Sequence, residues 1–206
     1  INTKPVNLIL SYSKKENFDN KGNFSDQYFN LDSKNPKYFW FLISLDNYIP
    51  KKIRSNVAII AKKNNNSYSL TYLLKHLFQL LIPSNFNLLR HICWKEFDFS
   101  KIVLKQAQNL MKGMNIKNLI INYEGIPFQN YLINSLKKIN SNINTYGYLH
   151  CAPWPIQLDL IYKKQSLDKL IVSGQQQKIV LKKHLGWSRK KIEGIPSFRF
   201  KKKKKK

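Results

Sequence analysis

Arginine, alanine, cysteine and acidic residues are all in short supply in this chain, and each shortage narrows what it can be. Only four of the 36 basic residues are arginine (Arg54, Arg90, Arg189 and Arg199), although the formal net charge is +25. A surface selected to grip bases or phosphates would use the bidentate guanidinium. Alanine occurs four times while lysine, asparagine and isoleucine abound, the residue usage of an AT-rich genome. Six of the charges are the terminal Lys201 to Lys206, and the other 30 cations against 11 carboxylates leave +19. The excess therefore reads as composition plus a solvated surface. Nucleic acid is disfavoured as a partner, while an anionic membrane surface or a phosphorylated substrate stays compatible with the charge.

Two cysteines, Cys93 and Cys151, make no disulfide framework, so a reducing cytoplasm is the expected setting. No apolar run approaches the roughly 20 residues of a membrane-spanning helix. The richest stretch, 70–81, is broken by Lys75, His76 and Gln79. There is no CxxC or HExxH pair, and His91, Cys93, His150 and Cys151 lack ligand spacing, so no metal is expected. GxGxxG, P-loop and GxSxG motifs are also missing, which argues against dinucleotide, P-loop and serine-hydrolase chemistry and implies no cofactor.

What is present is enough apolar material for a globular core, 43% of residues with 13% aromatic. Apolar runs at 5–12, 37–46 and 57–61 read as strands, with a polar, poorly packed loop or insertion between the first two. Leucines at helical spacing predict a helix over 70–81, and a second helix is predicted after Ser100 with Val103, Ala107 and Leu110 on one face. The rhythm then becomes regular. The run 118–123 predicts a strand buried on both faces, and Pro127 opens a helix whose apolar face carries Phe128, Tyr131, Leu132, Leu136 and Ile139. Strands are expected at 145–149, 167–173 and from Ile192, with a helix between Gly174 and Gly186. This alternation predicts an α/β fold, a Rossmann-like parallel sheet with flanking helices.

Ligands of open parallel sheets gather at the carboxyl ends of strands. Three predicted strands end in residues able to do chemistry: Glu124-Gly125, His150-Cys151 and Ser173-Gly174. Glu124 is a candidate catalytic base toward a hydroxyl; the alternative is a carboxylate capping the helix that begins at Pro127. His150 is a candidate for proton transfer or phosphate stabilisation, or else a loop histidine bonded to backbone. Ser173 and Gly174 offer a helix N-terminus to an anion, or simply an ordinary serine cap. Trp154 can stack on a ring or cover the core, and Arg199 can meet a phosphate.

The blocks Tyr123-Glu124-Gly125-Ile126-Pro127-Phe128, Tyr146-Gly147-Tyr148-Leu149-His150, Asp168 to Gly174 and Ile195-Pro196-Ser197-Phe198-Arg199-Phe200 follow one another in order. Together they resemble bacterial surface-carbohydrate (capsule or lipopolysaccharide) biosynthesis proteins related to glycosyltransferases with two facing Rossmann domains, a GT-B-like plan. The resemblance covers the last two-fifths of the chain. Two positions depart from it: Gln129 stands where such proteins often have Glu, and Leu149 where they have Gln. It implies that Glu124 and His150 line an interdomain cleft; Gly125, Trp154, Ser173, Gly174, Ser197 and Arg199 are the candidate substrate-binding residues beside them. It also implies that 1–195 form the N-terminal, acceptor-side domain and that 196–206 begin an interdomain linker with a truncated lysine-rich end. Ile1 and the lysine run accordingly read as cut edges of a longer product, and the 206-residue chain alone is expected to lack transferase turnover.

The implied partners are a nucleotide-sugar donor and a carbohydrate or lipid-linked acceptor, in the cytoplasm or peripheral on the inner membrane. Two other readings remain beside it: a nucleotide-sugar epimerase of the same fold, and a non-catalytic basic module for anionic membrane or nucleic acid.

Overall fold

A computed structural model describes residues 2–61, 97–151, 158–162 and 166–198. In chain order the elements are β1 (Asn2–Ser13), a short hairpin of β2 (Ser25–Asp26) and β3 (Leu31–Asp32), β4 (Tyr38–Ser44) and β5 (Val57–Ala61). There follow α1 (Phe97–Gly113), β6 (Met114–Asn122), α2 (Pro127–Ile139), β7 (Asn144–Leu149), α3 (Leu158–Tyr162), β8 (Lys169–Ser173), α4 (Gln175–Lys183) and β9 (Ile192–Ile195). Seven of these strands make one sheet in the order β5-β4-β1-β6-β7-β8-β9. Every pairing in it is parallel. The protein is thus an α/β, Rossmann-like fold.

Both faces of the sheet are covered, which is why its strands read as nearly continuous apolar runs. Alternate residues divide between two cores. Leu8, Leu10, Leu119, Ile121, Leu170 and Val172 face an aliphatic core shared with Val103 and Ala107 of α1, Leu132 and Leu136 of α2, and Leu181 of α4. Ile9, Trp40, Leu42 and Tyr148 face the other way, into an aromatic layer with Phe24 and Phe29. The segment between β1 and β4 is therefore not the poorly packed loop its polar composition suggests. Phe24 and Phe29 are buried in it, and so is the carboxylate of Asp26. Side chains complete its backbone hydrogen bonding: Asp26 Oδ1 accepts the Tyr28 and Phe29 amides at 2.7 and 2.6 Å, and Ser33 Oγ accepts that of Phe24 at 2.8 Å. Local side-chain acceptors of this kind let a segment pack without regular structure.

Boundaries elsewhere move by a few residues. β6 begins at Met114 rather than 118, because its polar start still alternates, with Ile116 buried between exposed Asn115 and Lys117. α1 already includes Phe97, and Ile139 is 48% exposed rather than on the buried face of α2, where Ile133 is fully buried instead. Gly186 ends α4 as expected: its φ of +65° reverses the chain, so that the Trp187 amide reaches the Leu181 carbonyl at 3.0 Å. The helix expected over 70–81 lies outside the described residues.

Candidate functional site

The sheet order has one reversal. Chain progression runs outward from β1 through β4 to β5, then restarts at β6 and runs the other way to β9. The carboxyl ends of β1 and β6 flank that switch, where doubly wound folds bind their ligands. β6, β7 and β8 are consecutive neighbours, so the three strand ends singled out from the sequence share one rim. Glu124 lies two residues past the end of β6 and His150 directly follows β7. Ser173 closes β8 and Gly174 begins the turn into α4.

The turn after β6 is built by a residue that sequence reading left without a role. Gln129, in the first turn of α2, is fully buried. Its Oε1 accepts the backbone amides of Glu124 at 3.0 Å and Ile126 at 3.2 Å, and its Nε2 donates to the Asn122 carbonyl at 2.7 Å and to the Tyr12 hydroxyl at 3.5 Å. One amide thus ties the end of β1, the end of β6 and the start of α2 together. Gly125 sits buried in this turn at φ +75°, a conformation that L side chains resist.

Because Gln129 supplies the acceptor for these amides, Glu124 has no capping task. Helix α2 has Ile126 as its N-cap and no side-chain cap bond. The half-buried Glu124 carboxyl has a pKa raised above its ordinary 4.5, and the cause is desolvation.

His150 is held from three sides. Its Nδ1 lies 2.9 Å from Oδ1 of the fully buried Asn122. The Tyr28 ring from the β1–β4 segment meets the imidazole edge-on, with centroids 4.6 Å apart at 60°, and the Tyr148 ring lies 6.5 Å away. Tyr28 is fixed in turn by Asp26, whose Oδ2 accepts the Ser11 hydroxyl of β1 at 2.5 Å. Residues brought from β1, β2, β6 and β7 therefore meet on one side of the rim. Asn122, Asp26, Ser11 and Tyr28 carry no motif. For Asn122 and Ser11 the only sequence signal was polarity near the tip of an apolar strand, and for Asp26 and Tyr28, inside a polar stretch, there was none.

On the opposite face of the same strand ends, Tyr123 is buried beneath α2. Its hydroxyl donates to Asn130 Oδ1 at 3.1 Å, and Asn130 Nδ2 donates to the buried Asp159 at 2.7 Å. Gly147 on β7 makes this possible, since a Cβ there would fall 2.9 Å from Tyr123 Cβ and 2.5 Å from Leu167 Cδ1.

Ser173 is not the cap of α4, as a plain serine-cap reading required. The N-cap is Gly174 at φ +104°, and the helix has no side-chain cap bond. Gly174 N–H donates to the Ile195 carbonyl at 2.8 Å, while the Ser173 amide donates to Gln177 Oε1 at 2.9 Å. Ser197 follows β9, and beside it Phe198 packs on Tyr148 at 5.0 Å and donates its amide to the Tyr148 hydroxyl at 3.3 Å. Cys151 is exposed. Trp154 and Arg199 lie outside the described residues. Among the described residues, no cluster of three or more His, Cys, Asp or Glu could hold a metal, and no helix is long and apolar enough to cross a membrane.

The opposite rim of the sheet has a different character. There Asn7, Asn118 and Asn144 form a ladder of side-chain amides, with bonds of 2.7 and 3.1 Å. Glu124, whose carboxyl has a raised pKa, and His150 follow adjacent strands at the carboxyl-end rim. No protein-family model matches the chain, and no curated protein matches it.

Proposed function

We propose that this chain is the acceptor-side half of a twin-Rossmann, glycosyltransferase-like protein of bacterial surface-carbohydrate synthesis. The observation that carries the reading is the position of Glu124 and His150 at adjacent strand ends beside the switch point. Glu124 takes the proton of an acceptor hydroxyl as that oxygen attacks the anomeric carbon of a nucleotide-sugar and the nucleoside diphosphate leaves. A carboxyl with a pKa raised by burial is a stronger base than a solvated one, which suits the task. His150 hydrogen-bonds the same substrate or balances charge on the departing phosphate. The uncapped amino end of α4, on the next strand over, offers its amides to that charge as well. Ser197, Trp154 and Arg199 extend the substrate surface on the sequence reading alone.

The test is carbohydrate binding by the 206-residue chain, read by saturation-transfer NMR with a panel of neutral oligosaccharides and nucleotide-sugars. Oligosaccharide binding that Glu124→Gln and His150→Gln weaken tenfold or more, with folding intact, supports the reading. Binding of RNA or anionic vesicles that falls steeply with salt and ignores both substitutions, with no carbohydrate signal, replaces it with the basic-module reading.

A further inference from the structure

We propose that the loop joining β4 to β5 is a docking surface that sets Leu45, Ile49 and Ile53 into a bilayer containing anionic lipid. Among the described residues seven large apolar side chains are exposed, and these three, at 53, 56 and 44%, share that one loop. Exposed apolar residues scattered singly need no explanation, whereas a group on one short segment does. Their exposure is held in place by the rest of the loop. Ser44 Oγ donates to the Tyr48 carbonyl at 3.0 Å, and Asp46 Oδ1 accepts the Tyr48 amide at 3.1 Å. The Leu45 amide donates to the Ser13 carbonyl at the end of β1, 2.8 Å away. Tyr48 packs toward Phe18 with ring centroids 6.1 Å apart, and Pro50 is buried. The inward-facing residues anchor the loop and leave the three aliphatic side chains outside.

The charge around the loop selects the kind of bilayer. Ile49 lines one open cleft with Lys51 and Lys52 of its own loop and with Lys14 and Lys15 from the segment after β1. All four lysines are exposed, and among the described residues none is in an ion pair. Three carboxylates line the same cleft, but two of them are engaged by backbone. Asp46 accepts the amides of Lys15 and Tyr48 at 2.8 and 3.1 Å, and Asp19 accepts those of Lys21 and Asn23, both at 2.9 Å. The lysine stems can lie along apolar surface while their ammonium groups reach the headgroup layer. Apolar side chains that bury at the headgroup boundary, with cations beside them, are what interfacial binding to anionic lipid requires. A second copy of this chain fits the surface less well, since a symmetric pairing through the loop would set one copy's lysines against the other's. The loop follows the carboxyl end of β4, and every strand of the sheet is parallel, so docking turns the rim of Glu124 and His150 toward the lipid. The proposal does not rest on the sugar-transfer reading.

The test is flotation of the whole chain with vesicles of phosphatidylglycerol and phosphatidylcholine, compared with vesicles of phosphatidylcholine alone. The chain should bind the anionic vesicles and leave the neutral ones. Replacing all three aliphatic residues, Leu45→Ser/Ile49→Ser/Ile53→Ser, should weaken that binding about tenfold. Lys51→Gln/Lys52→Gln should weaken it by about as much. Ile179→Ser/Val180→Ser is the control: it removes two exposed apolar side chains from α4, among lysines, and should change binding by no more than about twofold. The tail Lys201 to Lys206 is kept in every variant, so its own attraction to the vesicles is common to all. Ile49→Trp reads insertion directly, because lipids brominated on the acyl chain should quench its added fluorescence. Wild-type binding by the triple serine variant overturns the proposal, as does an equal loss in the α4 control or an unquenched Trp at 49. Equal binding to neutral vesicles overturns the anionic preference. A dimer in sedimentation velocity that the triple serine variant dissolves, without vesicle binding, gives the surface to a second copy instead. Glu124→Gln and His150→Gln should leave vesicle binding unchanged. Carbohydrate binding without vesicle binding therefore removes this proposal alone, and vesicle binding without carbohydrate binding removes only the sugar-transfer reading.

Discussion

The two sides of the switch point solve the same problem with different chemistry. On the β1–β4 side, carboxylates gather the chain: Asp26 accepts two amides and a hydroxyl, and Asp46 accepts the amides of Lys15 and Tyr48. On the β6–β7 side, neutral amides do this work, through Gln129 and Asn122. The consequence concerns Glu124. Had its turn been held by a carboxylate, a second negative charge would sit beside it. With Gln129 there instead, burial alone sets the shift of Glu124. An amide anchor leaves the neighbouring acid available for chemistry, whereas an acid anchor consumes itself in structure.

The largest expected effect breaks the acid-anchored side. Asp26→Ala strands the buried Phe29 amide and removes the brace of Tyr28, and it should cost about 3 kcal/mol. Urea denaturation measures the loss, and the same variant should broaden the His150 ring signals in NMR. On the amide-anchored side, Gln129→Ala leaves two amides and one carbonyl of a partly buried turn without their partner. We expect about 2 kcal/mol from the same titration. Equal losses at the two positions would mean that the kind of anchor is irrelevant to stability. Gly125→Ala tests the turn itself and should cost about 1 kcal/mol for the positive φ.

The smallest effects sharpen the contrast through pH. The folded-state pKa of Glu124 is raised, so its protonated form favours folding. That advantage is present at low pH and is lost as pH rises from its ordinary value near 4.5 through the folded pKa. Glu124→Gln should therefore raise the urea midpoint slightly at pH 7 and leave it unchanged below pH 4. Asp168 runs the other way. Desolvation raises its pKa, but hydrogen bonds from Lys137 and Thr145 outweigh that and leave it below the ordinary 3.8. Its contribution is present above the ordinary value and is lost as pH falls through the folded pKa. Since its side chain is 47% exposed, Asp168→Asn should cost only about 0.5 kcal/mol at pH 7 and nothing once both states are protonated. If both variants shift the midpoint in the same direction at pH 7, the assigned environments are wrong.

Much of the frame was legible along the chain. Strands read at 5–12, 37–46, 57–61 and 145–149 correspond to β1, β4, β5 and β7, and Pro127 and Gly186 mark the helix limits expected of them. The rim holding Glu124, His150 and Ser173 was also expected, because each residue follows an apolar run. Less was visible of what braces them. Asp26 is one polar residue in a polar stretch, and its role depends on Ser11, fifteen positions earlier, lying in front of it. Gln129 could be seen only as a departure from a resemblance, and Asn122 only as the last letter of a strand.

Alternating strands and helices, the two-faced burial of the sheet and the composition of its rim are local properties, written in the spacing of apolar residues and the places of glycine and proline. Which strand stands beside which is not local. β1 lies against β6 across more than a hundred residues of chain, and parallel pairing leaves no periodic mark to announce it. That one adjacency puts Ser11 next to Asn122, turns Asn122 toward His150 and lets Gln129 reach Tyr12. The tertiary structure alone decided it, because the contacts that favour it exist only once the whole sheet has formed.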